Sequence, residues 1–214
     1  SKHIAVIANV AGKTLDDYAG ICEKLDGKVD MIELNISCPN VKCGGMAFGI
    51  RPESVNEVTK VSKSALKKTP LMVKLSPNVE SIAANAAAAQ KGGADAVSLI
   101  NTLTGMVVDI ERRRPLIANN TGGVSGAGIK PIAVRMVWEA CNAVDIPVMG
   151  MGGITSAEDA LEFIIAGAAA VQVGTANFTD TLAMPKIIEG LNAWLDSHGV
   201  ADVNELRGTL KLNC

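Results

Sequence analysis

The chain has 214 residues, 48% hydrophobic and 20% charged, an ordinary globular composition that excludes disorder, collagen and coiled coil as the main state. Twenty Lys and Arg stand against 22 Asp and Glu, net −2, so no basic excess is available to neutralise a phosphate backbone. Two Trp, one Tyr and three Phe are too few for a base-stacking platform, and nucleic acid is not an expected partner.

In chain order, short apolar runs alternate with amphipathic or Ala-rich stretches. Residues 4–8 predict a first strand and 14–26 a helix. Residues 31–36 predict a second strand, then a helix over 52–67 with Pro52 at a first helical position. Residues 71–75 give a strand, and 79–91 an Ala-rich helix ended by Gly92 and Gly93. A strand over 96–100 is followed by a helix over 129–143. A strand over 147–150 leads to a helix over 156–166, capped by Ser156 with Asp159 three residues on and closed by Gly167. A strand over 169–173 and a helix over 182–197 complete the series. The strand runs are almost continuously apolar, as in parallel strands buried on both faces.

Six strand-then-helix units in series imply a parallel α/β fold, either an open doubly wound sheet or a barrel. Each strand ends in a polar residue or a glycine pair: Asn9, Asn35, Lys74, Asn101, Gly152-Gly153, Gly174-Thr175. In a barrel these ends converge on one mouth, where barrel sites lie. The expected fold is therefore a (β/α)8 TIM barrel in one domain over 1–214, with about six of its eight βα units in this chain. The other two are expected to precede residue 1. The 103–128 connection is long, and holds Arg112, Arg113 and Arg114 and a Gly-rich run over 121–128. Its Arg run reads as a solvated turn or as a docking or gating surface.

The five cysteines are odd in number and lack CxxC spacing, so neither a disulfide framework nor a metal site is expected; reduced thiols fit a cytoplasm. No charged segment precedes an apolar core at the start, so no signal peptide is expected, and the apolar helical stretch 82–89 is too short to span a membrane. Histidine, the usual general base, is scarce: His3 opens the first strand, and His198 lies beside Gly199 at a helix end. Cys22 and Cys141 fall in amphipathic helices and read as core.

The densest polar cluster, Asn35-Ile-Ser-Cys-Pro-Asn40, leaves a buried strand. Cys38 there is either an inert buried thiol or a base, since a nearby cation lowers the pKa of a thiol from about 8.5. Lys74 at a strand end reads as a receptor for an anion, a Schiff-base lysine or the partner of an internal carboxylate. The turns Gly150-Met-Gly-Gly-Ile154 and Val173-Gly-Thr-Ala176 follow consecutive strands and suit a backbone phosphate seat, or simple tight turns. Together these residues suit a flavin mononucleotide: phosphate in the glycine turns, lysine near N1 and O2, substrate on the ring. The turns and Lys74 alone would also suit a flavin-free, phosphate-handling lyase or isomerase.

Glu33-Leu-Asn-Ile-Ser-Cys-Pro-Asn-Val41 resembles the signature of the dihydroorotate dehydrogenases. The cysteine resembles class 1, where class 2 has serine, and Lys42-Cys-Gly-Gly-Met-Ala-Phe-Gly49 is similar to the NAD-linked class 1B. Dihydropyrimidine dehydrogenase shares the barrel but typically has histidine at the place of Asn40. Ile100-Asn-Thr-Leu-Thr-Gly-Met106, Asn119-Asn-Thr-Gly-Gly-Val-Ser-Gly126 and Gly174-Thr-Ala-Asn-Phe178 resemble the same family, and the likeness runs over essentially the whole chain. The resemblance implies oxidation of dihydroorotate to orotate in pyrimidine (UMP) biosynthesis, with Cys38 as the catalytic base. It implies that Asn35, Asn40, Asn101 and Thr102 hold the pyrimidine. Asn9, Asn35, Lys74, Ile100, Gly126, Gly152, Gly153, Gly174 and Thr175 contact FMN on the same ground. It also implies a partner subunit with FAD and a [2Fe–2S] cluster that passes electrons to NAD+, in an assembly of two catalytic and two electron-transfer subunits. The family's N-terminal part, with further FMN and substrate contacts, is absent from this sequence. A barrel piece that is inactive or dependent on a partner is therefore a further alternative.

Overall fold

The structure, a computed structural model, describes residues 4–37 and 48–213. His3, Cys38, Asn40, Cys43 and Cys214 lie outside the described residues. Six strands form one parallel sheet: β1 (Ile7–Val10), β2 (Met31–Asn35), β3 (Leu71–Lys74), β4 (Ala96–Leu99), β9 (Val148–Met151) and β10 (Ala170–Gln172), hydrogen-bonded in that order. The order never reverses, whereas a doubly wound sheet reverses at its switch point.

The sheet is also curled. β2 and β10 are four strands apart, which on a flat sheet would separate them by about 19 Å. Yet Gln172 Nε2 donates to Glu33 Oε1 at 2.9 Å. The described strands are an arc of a TIM barrel with inward side chains meeting across its axis.

Six helices follow the strands: α1 (Leu15–Leu25), α2 (Pro52–Ser64), α3 (Ile82–Lys91), α4 (Lys130–Cys141), α5 (Ala157–Ile165) and, after the short α6 (Ala176–Thr179), α7 (Ala183–His198). Each of the six packs on the next around the arc. The core lies between them and the outward strand residues Ile32, Leu34, Leu71, Val73, Val97 and Leu99, all fully buried. Burial of each such side chain contributes roughly 1.5–3 kcal/mol.

The element boundaries depart from the sequence expectation where a hydrogen-bond partner decides. The first strand begins at Ile7, not at 4, because the ladder needs β2 opposite; Asp30 N already donates to Val6 O at 3.0 Å. α3 begins at Ile82, because the Ser81 hydroxyl accepts from Ala84 N and caps it. α2 ends at Ser64, before the turn in which the N–H groups of Lys67, Lys68 and Thr69 all donate to Asp26. Those bonds, from Thr69 first and Lys68 next, hold the Asp26 carboxyl down at about 2. The 103–128 connection holds two antiparallel ribbons, β5 (Leu103–Gly105) with β8 (Gly122–Val124) and β6 (Val108–Asp109) with β7 (Arg114–Pro115). Strands of two or three residues carry no readable period. The Arg run forms the exposed tip of the inner ribbon.

At the start of α5 the expected cap is present as a capping box: Asp159 N donates to Ser156 Oγ, and Ser156 N to Asp159 Oδ2. Lys130 Nζ on α4 donates to Asp159 Oδ1 at 2.6 Å, joining two helices beside the Gly152–Gly153 turn. Burial alone would raise the Asp159 pKa, but Lys130 and Thr155 outweigh it and hold it at about 2, below the ordinary 3.8. A depressed carboxyl stabilises the fold above its unfolded pKa, and that stability is lost as pH falls through the folded value. Asp159→Asn is therefore expected to lower stability at pH 7 and to flatten the loss between about pH 4 and 2, as read by urea unfolding across that range. An acid limb as steep as that of the wild type would dismiss the ion pair as its source.

Candidate functional site

The C-terminal ends of the strands surround a cleft of about 360 Å³, within the ordinary range for a small-molecule site. Of the residues singled out from sequence, Lys74, Ile100, Asn101, Thr102, Gly126, Gly152, Gly153, Gly174 and Thr175 all line it. Asn9 and Asn35 stand beside the cleft, joined by Asn35 Nδ2 donating to Asn9 Oδ1 at 3.3 Å. Cys38 and Asn40 lie outside the described residues.

The amides are organised rather than merely close. Asn101 Nδ2 donates to Ser37 Oγ at 2.7 Å, Ser37 Oγ to Asn35 Oδ1 at 3.2 Å, and Tyr18 OH to the Asn35 carbonyl at 2.9 Å. Tyr18 is fully buried, so it fixes the end of β2 from the helix side. Asn78 Nδ2 donates to the Thr102 carbonyl, and Asn78 Oδ1 accepts from Thr104 N, which pins the start of the long connection. Thr102 packs so close to the Gly-rich run that a Cβ on Gly123 would lie 2.2 Å from its hydroxyl oxygen.

Along the glycine turns the backbone itself borders the cleft. Gly152 and Gly153 have φ of +127° and +76°, which side-chain-bearing residues rarely adopt. Gly174 lines the cleft, and a Cβ there would meet nothing within 4 Å. These turns leave a cradle of main chain, and Lys74 lines the same cleft. The donor set, one ammonium plus close backbone, fits a phosphorylated ligand with an electron-accepting ring, and so fits FMN.

Sequence reasoning assigned no role to Glu33, Ser37, Asn78 or Gln172. Glu33 is 5% exposed and lies inside the arc, with Lys74 Nζ 3.7 Å from its Oε2. A lone carboxylate in an otherwise apolar run, two residues before Asn35 and so on the same strand face, was the available signal. Ser37 and Gln172 gave none, because their partners are remote in sequence. Cys22 is core as expected, while Cys141 is half-buried against the core, and burial pushes both thiols up to about 11. Among the described residues no cluster of His, Cys, Asp and Glu could hold a metal ion, and no helix is long and apolar enough to cross a membrane.

Residues 1–195 match the family model described as dihydroorotate dehydrogenase. The chain is 53% identical over 206 residues to the catalytic subunit of dihydroorotate dehydrogenase B (NAD(+)) of Alkaliphilus metalliredigens, covering 96% of this chain and 68% of the relative. It is 55% identical over 210 residues to that of Bacteroides fragilis (97% and 69%) and 53% over 211 residues to that of Thermoanaerobacter pseudethanolicus (98% and 70%). Among solved structures it is similar to DHODH from Eimeria tenella, crystallised with ferulenol, with a TM-score of 0.79 at 22% identity. That likeness covers 94% of this chain and 60% of the other, so the chain spans well short of the whole length of the proteins it matches.

Proposed function

The chain belongs to the dihydroorotate dehydrogenase family, which are oxidoreductases, and from that premise we propose that it forms most of the FMN-holding barrel of an NAD-linked enzyme oxidising dihydroorotate to orotate. The observation that carries this reading is one cleft lined by the glycine turns, Lys74 and Asn101, with Asn101 held in the Asn35–Ser37–Asn101 network. The backbone of Gly126, Gly152, Gly153, Gly174 and Thr175 would hold the phosphate of FMN, and Lys74, with Asn9, Asn35 and Ile100, would hold its ring. When bound, FMN supplies at its N5 the acceptor for the hydride that leaves C6 of dihydroorotate. Asn35, Asn40, Asn101 and Thr102 hold the pyrimidine. The Cys38 thiolate takes a C5 proton, made acidic by the neighbouring C4 carbonyl. The names of the relatives, catalytic subunits of an NAD(+) enzyme, support a partner subunit that relays electrons to NAD+. We assign that partner FAD and a [2Fe–2S] cluster, and the assembly two copies of each subunit, in the cytoplasm.

An anaerobic visible spectrum tests the reading. Flavin bands that bleach on adding dihydroorotate support it. A protein that stays colourless after incubation with FMN overturns it in favour of a flavin-free, phosphate-binding barrel. Gly174→Ala tests the phosphate seat by itself. Its Cβ meets nothing in the protein and no positive φ opposes it, so stability is expected to stay within about 0.5 kcal/mol of the wild type. FMN affinity is expected to fall about tenfold, equivalent to about 1.4 kcal/mol, because the methyl group occupies the cradle. Unchanged affinity by fluorescence titration would move the phosphate elsewhere.

A further inference from the structure

Glu33 has partners on four other strands. Its Oε1 accepts from Ser98 Oγ on β4 at 2.7 Å and from Gln172 Nε2 on β10 at 2.9 Å. Its Oε2 accepts from Asn9 Nδ2 on β1 at 2.5 Å and lies 3.7 Å from Lys74 Nζ on β3. Its side chain is 6% exposed, while that of Lys74 is 19% exposed and lines the cleft. Lys74 thus lines the cleft with a nearly buried carboxylate 3.7 Å from its ammonium.

Stability alone does not account for a charge here. A buried ion pair is commonly no more stabilising than apolar residues of the same volume, because both groups must leave water. The carboxylate's effect reaches outward instead. It fixes Lys74 Nζ, and in a water-poor interior it offsets part of the positive field that Nζ projects into the cleft.

We propose that Glu33 is a positioning residue for Lys74 that sets how strongly the cleft prefers reduced over oxidised flavin. The proposal rests on the reading of Lys74 as flavin-facing. Negative charge gathers on the ring when it accepts a hydride, and an uncompensated ammonium stabilises that charge more than one backed by a carboxylate.

The test compares the dissociation constants of reduced and oxidised FMN, by redox titration against a reference dye, in the protein expressed from its complete reading frame. Glu33→Gln keeps the size and an acceptor for Ser98 or Gln172 but removes the charge. The ratio is expected to move about tenfold toward reduced FMN, which for two electrons is a rise of about 29.6 mV. Ser98→Ala removes a donor from Oε1 and leaves the carboxylate less compensated, so the ratio is expected to move the opposite way. That variant decides the matter if Glu33→Gln yields no folded protein. A purely structural role would weaken both oxidation states alike and leave the ratio unchanged, and such a result in whichever variants fold overturns the proposal. Wild-type protein that binds no FMN overturns the reading of the cleft, and the proposal with it.

Discussion

Cys38→Ala protein is expected to stay yellow and to be reduced by dihydroorotate about 10²–10⁴ times more slowly than wild type, the usual contribution of a positioned base. The substitution removes the only atom of that side chain able to take a proton, and leaves the glycine turns and Lys74, the proposed seat of the cofactor, untouched. No other described thiol substitutes for it. Cys22 and Cys141 are pushed up to about 11 by burial and stay protonated near neutrality. A thiol base also gives the reaction a pH signature. Flavin reduction in the wild type is expected to rise with pH toward the thiol pKa, about 8.5 if unperturbed, and the alanine variant is expected to lose that limb. Stopped-flow measurement of anaerobic bleaching reads both quantities. Wild-type rates in the variant would remove Cys38 from the mechanism.

Gly153→Val is expected to cost about 3 kcal/mol or more of stability and to abolish FMN retention. Two independent costs meet at this position. Its φ of +76° is disfavoured for any residue with a Cβ, most of all a β-branched one. The new Cβ would also lie 2.8 Å from the Gly126 carbonyl oxygen and 2.9 Å from Lys130 N, and backbone cannot swing aside as a side-chain tip can. Relief would require the Gly126 turn and the start of α4 to move. Lys130 there holds Asp159 and Glu162 on α5 at 2.6 Å each, so the disturbance spreads to the next helix. The denaturant midpoint and bound flavin per chain are the measurements. A variant with wild-type midpoint would mean that the turn adapts far more freely than its contacts indicate.

The contrast between Gly153 and Gly174 shows how much of the site was legible beforehand. Both were singled out by the same signal, glycines in consecutive post-strand turns. Sequence could not tell that one is locked by neighbouring backbone while the other borders open space. The same holds for Lys74. A lysine at the end of an apolar strand invites an anion or an internal carboxylate, and only the pairing and register of β2 with β3 bring Glu33 to it. The 103–128 connection is legible as long, but its ribbons are not, since strands of two or three residues lack a period and are held by partners up to 21 residues away, Leu103 opposite Val124.

What the sequence by itself determined is everything that depends on local chemistry. Continuous apolar runs require burial on both faces, Ser156 with Asp159 requires a helix start, and the strand-end residues must gather if the strands are parallel and consecutive. The signature around Asn35–Asn40 identified the family for a related reason, that one short segment carries most of the expected reactive groups. Tertiary structure alone decided which remote residues meet inside the arc: Glu33 with Gln172, Ser98 and Lys74, and Ser37 with Asn101. Glu33 meets Lys74 through the pairing of β2 with β3, while the contacts between strands that are not neighbours follow from sheet curvature, which is a collective property of twisted, staggered strands packed under helices. No single residue encodes that curvature, and so no single residue announces what it brings together.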